Sequence, residues 1–218
     1  MNEAAVHAII DDIGALLLFS MILILAADQI YRAIYAVAAQ SLLIAVAAGV
    51  LAMATGNADL WVIAGVTLVV KAILLPWVLH RVVQRMNVRR EVEPVIPVVT
   101  TLAFAVTIVV MSFHLSASLG SVRQVITGNA LPVGIALTLL GVLVMASRKK
   151  ALTQMVGLFA SENGIFFTAM AVTKGMPLII EIGVILDVIL AALVMAILVL
   201  RVRSTVDADI ADLDRLRG

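Results

Sequence analysis

Cysteine is absent from the 218-residue chain, which excludes disulfides, iron–sulfur ligation, thiolate metal sites and a cysteine nucleophile together. Aromatic residues make up only 5% and charged residues only 13%. The histidines His7, His80 and His114 are scattered. No glycine-rich phosphate loop, metal-ligand cluster or nucleophile motif occurs in the sequence. Any redox or hydrolytic chemistry therefore belongs to another chain, and this one is expected to carry no cofactor and to be a non-catalytic subunit. A formal charge of +1 gives no support to nucleic-acid binding.

What remains is hydrocarbon. Hydrophobic residues are 63% of the chain and the mean hydropathy is +1.17, more than a soluble core of this size buries. The apolar runs hold Leu, Ala, Ile and Met in long stretches rather than short alternating segments, so the expected fold class is all-α, a polytopic membrane helix bundle and not a β-barrel. At about 20 residues per span, helices are expected near 10–27, 31–54, 60–82, 94–115, 129–147, 151–173 and 177–201, about seven in all. The first run lacks a basic leader and has Asp11 and Asp12 ahead of it, which reads as a retained span rather than a cleaved signal. Breaks fall at "ADQ", "TGNAD", "RMNVRREVEP", "SLGSVRQVITGN", "SRKK" and "TKGMP", rich in Gly, Asn, Pro and charge.

Cation placement tests this count. Arg32, Arg81, Arg85, Arg89, Arg90, Arg148, Lys149, Lys150, Arg201, Arg203, Arg215 and Arg217 fall on one side; Arg123 and Lys174 fall on the other. The asymmetry predicts an outside amino terminus and a cytoplasmic carboxyl terminus, which requires an odd number of spans. The polar end "STVDADIADLDRLRG" reads as a short cytoplasmic helix or a loose segment that docks on a neighbour. The chain divides into an amino-terminal three-helix unit (1–93), a connecting helix and loop (94–128), a second three-helix unit (129–203) and a tail (204–218). "LVVKAIL" and "VILDVIL" each set one charge in an apolar helix, which allows a reading of the two units as parallel repeats, with chance similarity between apolar helices the favoured alternative.

At 1.5 Å per residue, Lys71, Glu162 and Asp187 lie roughly 15–16 Å into their helices, near the centre of a core about 30 Å thick. Ionisable groups at that depth mark ion or proton paths; the alternative is a buried structural pair that fixes packing. Burial and neighbouring charge together allow such groups to load and release protons. Glu181, near the outer end of the last helix, is either an exit group or a snorkelling interfacial residue. Asp11, Asp12 and His7 read as outer-surface groups. His114 ends the fourth helix as an interfacial residue rather than a ligand. Pro76 is expected to kink the third helix one turn past Lys71. The methionines are packing residues.

The stretch "LLGVLVMASRKKALTQMVGL", Glu162, Asp187 and the closing "DADIADLDRLRG" resemble the K subunit of respiratory complex I and the C subunit of multisubunit sodium/proton antiporters. Over its whole length the chain resembles the hydrogenase-4 component E family. In the K-subunit family two membrane glutamates belong to a proton-translocating hydrophilic axis. By pattern, one falls on Asp187. The other is expected directly after "GL", where Phe159 stands, with Glu162 three residues later, about 300° of rotation and about 4.5 Å of rise away. Lys71 has no K-subunit counterpart. The resemblance implies a membrane subunit of a group 4 nickel–iron hydrogenase, a formate hydrogenlyase or a related ion-pumping complex. Its implied partners are antiporter-like subunits, an H-type complex I subunit and a peripheral redox module, in the plasma membrane of a prokaryote. A microbial rhodopsin is excluded, because "PLIIEIGVILDVILAALVMAILVLR" has neither a lysine nor an aromatic residue. A stand-alone secondary transporter and a passive scaffold are the competing readings.

Overall fold

In the computed structural model, which describes residues 3–85, 94–118 and 129–173, every regular element is a helix. Helix α1 (Glu3–Leu25) buries Val6, Ile10, Ile13, Leu17, Met21 and Ile24, a stripe at the helical repeat. Its other face leaves Leu16, Phe19, Ile22 and Leu23 about half exposed, and a face that is apolar in both directions suits lipid on the outside. The helix begins seven residues earlier than the expected 10–27 (10 − 3 = 7). Asp11 and Asp12 lie within it rather than ahead of it, in its third turn.

Helix α2 (Ile30–Thr55) stops at Gly56, whose φ of 69° is the left-handed conformation that lacks a Cβ penalty. The Gly56 N–H closes the helix on the Ala52 carbonyl at 2.9 Å. One residue later the Asn57 side chain accepts the Asp59 N–H at 3.0 Å, capping the next helix. That helix is a single rod in three parts: α3 (Ala58–Val66), a π-helical segment (Thr67–Leu74) and α4 (Leu75–Arg85). The irregularity precedes Pro76. Proline has no N–H, so the preceding turn loses an α-type donor and the wider π spacing takes it up.

Helix α5 (Val98–Ser118) begins after Pro97 rather than at the expected 94, since residues preceding a proline are driven out of the helical region. It lies at the rim: 17% of its core window is buried, against 56% for α2 and for α6 (Ala130–Ser147). Helix α7 (Ala151–Thr173) folds back antiparallel along α6 through the short turn at Arg148–Lys150. Glycines make that seam close. A Cβ on Gly134 or Gly164 would run into Thr168 or Thr138, and one on Gly141 or Gly157 into Ser161 or Met145, so backbones approach here as small residues permit between membrane helices.

Among the described residues five helices are long and apolar enough to cross a membrane: α1, α2, the α3–α4 rod, α5 and α6. Helix α7 matches α1 in length but places Ser161, Glu162 and Asn163 in its middle, all buried. It turns that polar segment inward, against α6, α2 and the rod. The expected span at 177–201, with Glu181 and Asp187, lies outside the described residues.

Candidate functional site

The core of the bundle is a single apolar cluster drawn from α1, α2, the rod, α5, α6 and α7. Within it Lys71 Nζ stands 3.1 Å from Glu162 Oε1, with both side chains only about one-twentieth exposed (5% and 6%). Lys71 sits in the π segment, a local geometry that recurs at functional sites. Glu162 comes from the middle of α7. Phe166, one turn further along α7, offers its ring to the ammonium at 5.9 Å, a cation–π contact that adds to the pair in a desolvated setting. Thr67, one turn before Lys71, is also buried.

Two desolvated charges are expensive to hold and their attraction repays the cost only with good geometry. Here the 3.1 Å contact and the Phe166 ring face offset part of that cost. The ammonium and the carboxylate thus face each other inside the bundle, shielded from solvent.

A second polar group adjoins it. The Asn163 amide donates to Ser41 Oγ at 3.3 Å, linking α7 to α2, and Ser41 donates to the Val37 carbonyl at 3.1 Å. Gln40, fully buried, points its amide nitrogen at Met21 Sδ on α1 at 3.6 Å. None of these residues, nor Phe166, stood out at the sequence level. Gln40 had a signal, being a lone amide in the apolar run "AVAAQSLLIAV". Phe159, where the resemblance expects a glutamate, is a buried core residue.

Other marked residues lie apart. Asp11 accepts the Asn129 N–H at 2.8 Å, at the start of α6. His80 leans against Tyr31, ring planes tilted by 49° with centroids 4.9 Å apart, and meets Gln84 at 2.9 Å. His114 is exposed within α5, four residues before its end, rather than ending the helix. Arg148 is buried and donates to the Leu25 carbonyl at 2.6 Å, where a cation suits the carbonyl end of α1. Burial pulls its guanidinium below the ordinary arginine value, though such a group stays charged. No cluster of three potential metal ligands occurs among the described residues.

An all-α bundle with membrane-length apolar helices and a buried ion pair at mid-helix defines a class, the polytopic helical membrane proteins. No family model and no solved structure matches the chain. It belongs to the family of the uncharacterized protein Rv0085 of Mycobacterium tuberculosis, with which it shares 34% identity over 151 residues, covering 69% of this chain and 68% of the relative.

Proposed function

We propose that this chain is a membrane subunit of a complex-I-related energy-converting complex, of the group 4 nickel–iron hydrogenase or formate hydrogenlyase type. In this reading it contributes Lys71, Glu162, Asp187 and Glu181 to a path for protons or sodium ions. The observation that carries it is the Lys71–Glu162 pair, held in the apolar bundle between the π segment and α7. Ionisable groups are expensive in such a position and are kept there chiefly where charge moves. The resemblance to hydrogenase-4 component E supplies the partners: antiporter-like subunits, an H-type subunit and a peripheral redox module that holds the metal centres. The chain lies in the plasma membrane of a prokaryotic cell with its amino terminus outside.

The test is ion pumping by the purified parent complex in liposomes, with assembly verified. Glu162→Gln, Lys71→Met and Asp187→Asn each abolish coupled pumping if these charges form the path. Unchanged pumping in assembled complexes makes the pair a clamp and the chain a passive scaffold. Ion flux by the chain alone in liposomes makes it a stand-alone secondary transporter instead.

A further inference from the structure

Beside the ion pair, two buried amide oxygens have no donor among the described residues: Gln40 Oε1 and Asn163 Oδ1. Gln40 is 0% and Asn163 1% exposed, so bulk solvent does not reach them. The amide nitrogen of Gln40 has a thioether as its partner, a weak acceptor. Buried carbonyl oxygens in folded proteins almost always receive a hydrogen bond, and ordered water supplies it where side chains do not. The positions are also connected. Asn163 follows Glu162 on α7 and bonds Ser41 on α2, and Gln40 precedes Ser41 and reaches α1.

We infer that Gln40, Ser41 and Asn163 bind ordered internal water and so extend the polar interior from the Lys71–Glu162 pair across α2 to Met21 of α1. Water fits better than a hard metal cation, which takes about six oxygen ligands, whereas the orphaned atoms here are two amide oxygens and Lys71 already stands against the neighbouring Glu162. The row runs sideways across the bundle rather than along it. It needs no redox partner, so it stands whether the chain pumps ions or only bridges larger subunits.

The experiment is water-edited solid-state NMR on the full chain in lipid nanodiscs, with water as the probe. Signals are assigned by Gln40→Leu and Asn163→Leu, or by Gln40→Met and Asn163→Ser if those do not fold. Magnetisation is expected to pass from water to the Gln40 and Asn163 side-chain amides several-fold faster than to buried Leu137, though more slowly than to exposed Gln29. Build-up at both amides no faster than at Leu137 overturns the inference. That outcome leaves the pumping test untouched, because hydration is read on the isolated chain and pumping on the complex.

Discussion

Lys71 and Glu162 were each legible as charges in apolar runs, and their similar depth followed from helical rise alone. Their contact was not, because both helices are apolar around most of their circumference and the sequence does not say which faces meet. Phe166 escaped for the same reason, as an aromatic in an apolar run signals packing before it signals a cation partner. The pair makes a sharp energetic prediction. Lys71→Met or Glu162→Leu alone leaves a buried charge uncompensated and is expected to cost about 3–5 kcal/mol of stability. The double variant removes both charges and is expected to cost far less than the sum of the two. Denaturant unfolding of the four proteins in detergent measures this coupling. Additive losses mean that the 3.1 Å contact is energetically idle.

At the scale of the helix, the spans at 31–54, 129–147 and 151–173 agree with α2, α6 and α7 to within about one residue, since long apolar runs bounded by Gly, Asn and basic turns are a strong signal. The π segment was less legible: Pro76 announced an irregularity, but the expanded turn lies before it and holds Lys71 itself. The seam between α6 and α7 went unread, although Gly134 and Gly141, like Gly157 and Gly164, recur one heptad apart. A glycine in an apolar run has no meaning until a neighbouring backbone approaches it. Gly141→Val is therefore expected to force α6 from α7 at Ser161 and to lose about 1–3 kcal/mol, as overpacking does. Gly65→Ala is the control. Nothing lies within 4 Å of its added methyl, and alanine favours the helix by about 1 kcal/mol, so this variant is expected to melt at or above the parent temperature. Thermal melts of the two variants in one detergent check both statements, and equal melting temperatures would remove the seam as a determinant of the bundle.

Across the whole molecule, two polar ties fix how the halves face. Asp11 holds the start of α6, and Arg148 at its end holds the last carbonyl of α1, so α1 and α6 run parallel. The Val95 N–H meets the Ser147 carbonyl at 2.8 Å at that second end, bringing the approach to α5 beside it. Connectivity then gathers Arg32, Arg81, Arg85, Arg148, Lys149 and Lys150 at one end of the bundle. Among the described residues the other end has no Lys or Arg and presents Asp12 and Asp59. The proposed orientation puts this cation-rich end in the cytoplasm, as the positive-inside rule favours. The chain is suited to a direct check, because without a native cysteine any introduced thiol is the sole target of a maleimide. Asp59 and Lys149 are exposed at opposite ends. With a membrane-impermeant maleimide on intact cells, Asp59→Cys is expected to label at once and Lys149→Cys only after the membrane is opened. The reverse pattern would invert the bundle and turn the Asp11 end, together with the Asn57 turn, towards the cytoplasm. Labelling of both variants in intact cells would mean that the α2–α3 turn and the α6–α7 turn share one side, which would break the alternation of spans on which the mid-membrane depth of Lys71 and Glu162 rests.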